Sequence, residues 1–581
     1  MGFYTDERNA QIIIQLLKEN NIRKIIASPG TTNACFVASL QGDPFFEIYS
    51  APEERVAAYM ACGMAAESGE PVVLSCTGAT ASRNYFPALT EAYYRKLPIL
   101  VVTSSRRNAY IGHNYDQVTD RTQLPNDIVN VSVQMPMIFD EIGEWQCVIA
   151  ANKAVLELFR NGGGPAHINL ETMYSRNAVE TIPPVRVIRR YTHADTLPKM
   201  EGKIVVMVGN HKPWSKELTL AVDQFCDSHN AVVLCDHTSN YKGKYRVFAG
   251  LMSMQGHWKA AFQDADIMIH IGDVSGSDFN ISAKQVWRVN PDGELRDSFS
   301  KLRCVFEMEE IDFFKAYLSK DTSENMLMNI CLEETKALYS AIPDLPFSNL
   351  WMASVTSNRL PENSVLHLGI RNSLRTWNYY DTKGSVLGFS NTGGFGIDGS
   401  ISTVVGAALA NPEKIFFCVL GDLAFFYDLN VFGNRHFPSN VRILLVNNGV
   451  GFEMRGNFTL GNKISHGLHA DEAVFVAAGG HYSQLNNESV KNYVDGFGCE
   501  YLRATSKEEY QKQLDYFVSS ERYDRPIVFE AFVTVEDEEK SIDLVANLIG
   551  DKSKGIKSAV KNIIGESNYK SLRQGIKKII K

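Results

Sequence analysis

The sequence predicts an α/β protein of three doubly wound parallel-sheet domains, and three observations carry that expectation. Short apolar runs alternate with amphipathic segments along nearly the whole chain. Many of these runs end in Gly, Ser, Thr, Asp or Asn, as strands do at the ligand-bearing edge of a parallel sheet. A length of 581 residues exceeds one core and suits about three domains.

Residues 1–185 form the first block. Its strands are read in Ile25–Thr32, which runs into a Pro-Gly turn, in Pro71–Gly78, in Leu97–Thr103 and in Ala166–Leu170. Between the first two lies a small-residue helix, APEERVAAYMACGMAA from Ala51 to Ala66, opening on Glu53 and Glu54. Acidic residues there complement a helix dipole whatever else they do. Glu180–Lys199, Pro-rich and charged without clear periodicity, reads as a linker. Residues 186–344 form a central α/β block with strands near Lys203–Val208, Ala231–Cys235 and Asp266–Ile271. No Gly-x-Gly-x-x-Gly follows a strand in it, so nothing requires a dinucleotide or flavin.

Residues 345–550 form the third block and carry the most informative text, KIFFCVLGDLAFFYDLNVFGNRHFPSNVRILLVNNGVGFEM from Lys414 to Met454. Ile415–Leu420 delivers Gly421-Asp422, an amphipathic segment crosses back, and Val441–Val446 delivers Asn447-Asn448-Gly449. In a βαβ unit both strand ends open on one edge, which sets Asp422 beside Asn448. A carboxylate, an amide oxygen and a nearby backbone carbonyl make an oxygen set suited to Mg²⁺. Gly421 lets the backbone approach a phosphate closely. Each motif alone is also ordinary loop chemistry.

Composition narrows the function classes. Hydrophobic residues make up 45% and charged residues 21%, an ordinary globular balance, and the net charge of −8 argues against nucleic-acid binding by the body of the protein. No uninterrupted apolar run is long enough for a membrane span, and MGFYTDERNAQ lacks a signal-peptide core. Ten cysteines without CxxC pairs read as reduced core residues, and the expected location is cytoplasmic. The tail, 551–581, holds nine Lys or Arg against two Asp or Glu with an imperfect Ile stripe. Such a basic amphipathic segment lies on an anionic membrane surface or packs over the protein body.

Gly421-Asp422 and Asn447-Asn448 together resemble the fingerprint of thiamine diphosphate-dependent enzymes. The resemblance implies Asp422, the Asn448 side chain and the Val450 carbonyl as Mg²⁺ ligands, and Gly421 and Leu423 among the cofactor contacts. It also implies a carboxylate against the cofactor's aminopyrimidine ring. The family spacing of Glu, Ala-Ala and Gly falls on Glu54, Ala57, Ala58 and Gly63. Residues 1–185 then become a pyrimidine-binding domain and 345–550 a diphosphate-binding domain.

Within that superfamily, Ser390–Gly399 (SNTGGFGIDG) and Gly421–Asn430 (GDLAFFYDLN) are similar to segments of the menaquinone-pathway synthases. That likeness implies Ile397, beside Gly396, as the apolar wedge under the cofactor, a role compatible with ordinary core packing. Gly112 and Gln117 keep a family spacing, with Asp116 and Val118 replacing a Phe and a Glu. Arg106 and Asn372-Ser373 match synthase positions, and Arg375 lies two positions before Trp377, which takes another arginine's place. Two further arginines are replaced by Thr32 and Thr392, which speaks against the synthases' dicarboxylate and isochorismate substrates. His113 and Gln117 are read as polar active-site residues and Glu453 as a proton relay; a surface salt bridge or turn role fits each equally.

The implied activity is decarboxylation of a 2-oxo acid with transfer of the acyl-anion equivalent to an unidentified acceptor. The alternatives are plain decarboxylation, the menaquinone-pathway synthase reaction itself, and a non-catalytic cofactor-binding scaffold. A homodimer or homotetramer is implied, because relatives build each site from two subunits.

Overall fold

A computed structural model describes residues 3–256, 258–277, 279–319, 325–457, 459–468, 481, 486–546 and 548. The basic tail at 551–581 lies outside the described residues. By internal packing the chain divides into two compact units, Met1–Asp195 with Gly293–Val305, and Thr196–Asp292 with Phe306–Lys581.

The first unit holds a six-stranded sheet ordered Glu47–Ser50, Lys24–Ala27, Val72–Thr77, Ile99–Ser105, Ala166–Glu171 and Val131–Met135. Every neighbouring pair is parallel. Successive side chains of a strand point to opposite faces, so both faces need apolar cover. Ile25, Val73, Leu100 and Val102 enter one core, while Ile26, Val72, Leu74 and Val101 enter the other. Segment 293–305 joins this unit because Glu294 pairs with Lys153 at 2.9 Å and Arg160 at 3.2 Å, and Asp297 binds Trp145 Nε1 at 3.0 Å.

The expected linker is more ordered than its composition implies. It contains the short strand Arg189–Tyr191, and another, Ala178–Val179, lies just before it. Side chains of other segments fix it where periodicity is absent: Asn152 Oδ1 accepts from Ile188 N at 2.8 Å, and Glu157 Oε1 accepts from Arg190 at 2.9 Å.

The second unit carries two sheets. The central strands are Arg246–Phe248, Val232–Cys235, Ile204–Val208, Ile267–Ile271 and Gln285–Val289, in that order and all parallel. The other sheet is ordered Leu387–Phe389, Val365–Leu368, Phe416–Gly421, Val441–Asn447, Ile527–Phe532 and Glu500–Ala504, again all parallel. From Val365–Leu368 the chain winds outward to Leu387–Phe389, then returns to Phe416–Gly421 and winds the other way. The crevice between Val365–Leu368 and Phe416–Gly421 is therefore the switch point, where ligands of open α/β sheets bind. All ten cysteines are free thiols, nine of them buried. No described helix is long and apolar enough to cross a membrane.

Candidate active site

Gly421 ends its strand and caps the helix Asp422–Tyr427, so Asp422 sits in that helix's first turn at the switch point. The next strand runs in register, Gly421 against Val446, and turns back through Gly449 at φ 79°. Asp422 is 1% exposed and Asn448 8%. Asp422 Oδ2 accepts from Gly449 N at 2.8 Å and meets His481 Nε2 at 2.9 Å. Asn448 Oδ1 accepts from Val450 N at 3.2 Å. Asp422 thus closes, through Gly449 N, on the turn that carries Asn448 and Val450.

Glu530, fully buried on the adjacent strand, holds this turn from below. Its carboxylate accepts from Asn447 Nδ2 at 2.7 Å and Tyr501 Oη at 2.8 Å. Burial pushes its pKa up, partly offset by those two hydrogen bonds.

The donor set fits a hard divalent cation: carboxylate, amide and carbonyl oxygens at one turn, with little solvent on either side chain. Gly421 adds a second argument. Its φ is −81°, and a Cβ built there would meet only Val446 O at 4.0 Å. Neither backbone conformation nor a neighbour demands glycine, so the bare backbone suits close approach of an external group such as a diphosphate.

The other expected residues of this unit divide in two. Ile397 is half-buried and packs on the core with Phe389 and Ala407, while Gly396 leaves room for Asp398 Oδ1, 2.5 Å from where a Cβ would stand. Leu423 is half-buried beside Asp422. Ser373 is buried, and its Oγ accepts from Asn349 Nδ2 at 3.2 Å. Glu453, expected as a proton relay, binds Arg375 Nη2 at 2.6 Å. Thr392 is 1% exposed, and its Oγ1 finds no partner among the described residues. Glu538 fastens the Asn372-Ser373 segment from behind, accepting from Asn372 Nδ2 at 3.1 Å and Asn349 N at 2.8 Å. Burial pushes this carboxyl up to about 7, against the pull of both hydrogen bonds.

In the first unit, Glu54 begins the helix Glu54–Ser68, while Glu53 caps it through bonds from Arg55 N and Val56 N. The capping duty expected of the acidic pair therefore falls on Glu53. Glu54, half-buried, accepts from Asn84 Nδ2 at 3.0 Å. Ala57, Ala58, Ala61, Cys62 and Ala65 face the core, which brings the helix close to the sheet.

Arg106 does not stand free. Its Nη1 binds Asp116 Oδ1 at 2.6 Å, Nη2 binds Oδ2 at 3.2 Å, and Nε donates to Tyr174 Oη at 3.0 Å. His113 and Gln117 are exposed on the same loop, Gln117 at φ 57°. Arg121 ties that loop to the sheet: it is 1% exposed, donates to Asn169 Oδ1 at 2.9 Å, and lies against Gly78, where a Cβ would stand 2.4 Å from Nη1. Thr32 is buried and donates to Ser104 O at 2.6 Å, with Thr77 beside it.

Sequence reasoning missed His481, Glu530, Glu538 and Arg121. Glu530 had a signal, a lone carboxylate inside the apolar strand IVFEAF. His481, 59 residues from Asp422, had none.

Comparison with known proteins gives the family. The N-terminal thiamine pyrophosphate-binding domain of thiamine pyrophosphate enzymes matches residues 8–124, and the C-terminal one matches 372–531. A 2-succinyl-5-enolpyruvyl-6-hydroxy-3-cyclohexene-1-carboxylate synthase of Bacteroides fragilis is 30% identical over 91% of this chain and 96% of its own length. Proteins of the same name from Phocaeicola vulgatus and Bacteroides thetaiotaomicron are 29% and 28% identical, covering 93% and 91% of the chain and 98% and 96% of their own lengths. Family matches on both sides of the chain, and a relative 30% identical along nearly its whole length, lead to one conclusion: the protein belongs to the thiamine pyrophosphate enzymes, with thiamine diphosphate and Mg²⁺ as its cofactors.

Proposed function

We propose that the protein decarboxylates a 2-oxo acid and transfers the resulting acyl-anion equivalent to an acceptor, forming a carbon–carbon bond. The observation that carries this reading is the closing of Asp422 on the turn that carries Asn448 at the switch point. When bound, thiamine diphosphate supplies the carbanion and the electron sink. Residues 345–550 act as the diphosphate-binding domain, where Asp422, Asn448 and the Val450 carbonyl hold the metal. Residues 1–185 act as the pyrimidine-binding domain, where Glu54 would hold a proton against the cofactor's ring and Asn84 orients the Glu54 carboxylate. Residues 186–344 form the central domain.

The donor or the acceptor differs from that of the menaquinone-pathway synthases whose motifs the chain resembles. Thr32 and Thr392 are neutral where those enzymes carry arginines, and Arg106 and Arg375 are each closed on an internal carboxylate. Release of CO₂ from a panel of 2-oxo acids, with and without sugar or enone acceptors, tests the reaction. Absence of CO₂ from every member would end the proposal. Turnover of 2-oxoglutarate with isochorismate at a synthase-like rate would assign the synthase reaction instead.

The working form is at least a homodimer. The helix carrying Glu54 buries its alanines but leaves Val56, Tyr59 and Met60 at 51%, 48% and 39% exposure. An apolar strip on the helix that carries Glu54 suits a second copy of the chain.

A further inference from the structure

We propose that Arg371 is a specificity-determining residue whose guanidinium receives a substrate carboxylate other than the one lost as CO₂. The inference rests on the 2-oxo acid reading above, and it revises the expectation drawn from Thr32 and Thr392: a different arginine restores the charge that a dicarboxylate needs. Arg371 follows Val365–Leu368, one of the two strands that flank the switch point. That strand pairs with its neighbour as Leu368 against Val419, and Gly369 N donates to Val419 O at 2.7 Å. Arg371 caps the helix Asn372–Trp377 just beyond the end of its strand, as Gly421 caps Asp422–Tyr427 at the same end of the neighbouring parallel strand. It therefore stands at the ligand-bearing edge, one strand from the metal turn.

Its backbone is held where arginine is disfavoured. Arg371 has φ 67° and ψ −116°, a conformation that glycine adopts freely and a side chain resists. Its guanidinium lies 5.4 Å from the ring centre of Phe395, itself at φ 52° in the Ser390–Gly399 segment. Two non-glycine residues with positive φ thus touch at one edge, and strain of this kind collects where function holds it in place. At that distance the ring attracts the guanidinium through its π face and uses none of its N–H groups.

The charge of Arg371 is uncommitted. The residue is exposed, and no ion pair or hydrogen bond of its guanidinium occurs among the described residues. Arg106 and Arg375, by contrast, are engaged by Asp116 and Glu453. A carboxylate seated on Arg371 would take two parallel charge-assisted hydrogen bonds. That carboxylate is not the departing one, because a cation gripping the departing group stabilises the charge that the reaction must remove.

The test uses enzyme loaded with thiamine diphosphate and Mg²⁺, with 2-oxoglutarate and 2-oxobutyrate as donors with and without a second carboxylate. We expect wild type to prefer the diacid in kcat/KM. Arg371→Gln should cut that preference by about 10- to 100-fold, mainly through KM, the worth of a hydrogen bond to a charged group. Arg371→Gly should lose the preference equally yet melt no lower than wild type, because glycine relaxes the backbone. If wild type turns over 2-oxo acids without preferring the diacid, or Arg371→Gln keeps the preference, the proposal is overturned. Weakened calorimetric binding of thiamine diphosphate with preference intact would overturn it too, giving the guanidinium to the diphosphate. A lower melting temperature for Arg371→Gly would make the side chain a structural strut. Failure of wild type to release CO₂ from any 2-oxo acid would instead strike the proposed function.

Discussion

The proposed site divides two tasks, holding the cofactor and activating it, between single side chains. Asp422 is the only full negative charge in the proposed ligand set, so Asp422→Ala should abolish Mg²⁺-dependent uptake of thiamine diphosphate. Calorimetry with and without EDTA reads this, and binding that persists within about tenfold of wild type would contradict the assignment. Glu54→Gln keeps the side chain's size and its reach to Asn84 but cannot exchange a proton. It should retain cofactor binding while slowing turnover by about 10²- to 10⁴-fold, the usual weight of a proton-transfer group. Exchange of the bound cofactor's C2 proton, followed by NMR, gives a second readout. Unchanged exchange in Glu54→Gln would remove Glu54 from activation.

At the scale of elements, the active edge depends on buried polar side chains that clamp one segment to the next. The helix Val535–Ala546 accepts hydrogen bonds from Asn349 and Asn372 through Glu538, which is 1% exposed. An unfolded glutamate releases its proton near pH 4.5, whereas folded Glu538 keeps its own until about pH 7. The stability this contributes is complete below pH 4.5 and lost as pH rises through 7. Glu538→Gln cannot ionise, so its stability relative to wild type should climb across that window. The order of magnitude is about 3 kcal/mol, set by a shift of a few pH units. Thermal unfolding of both proteins from acid to mildly alkaline pH checks this, and parallel curves would refute it.

For the whole molecule, assembly is the property most open to test. Tyr59→Asp puts a charge in the exposed strip of the Glu54 helix without touching its buried alanines. The proposed homodimer should dissociate, read by light scattering, and turnover should fall with it. A variant of unchanged mass and activity would place the subunit contact elsewhere.

The same three scales separate what was legible in the chain from what was not. Strand ends in the first and third blocks were readable because parallel strands buried on both faces leave near-continuous apolar runs that stop at small polar residues. The meeting of Asp422 with Asn448 followed from the βαβ rule alone. The pairs Arg106–Asp116 and Arg375–Glu453 were not readable, since partners 10 and 78 residues apart have no periodic relation. Glu538 and His481 were hidden for the same reason.

Sequence by itself determined the fold class, through local patterning and connection handedness, and its resemblance to thiamine diphosphate-dependent enzymes supplied the cofactor. Only the tertiary structure decided which arginines keep an available charge, which carboxylates are buried clamps, and that Arg371 stands at the switch point with a positive φ. Those properties arise from distant segments meeting in space, and no spacing along the chain encodes them.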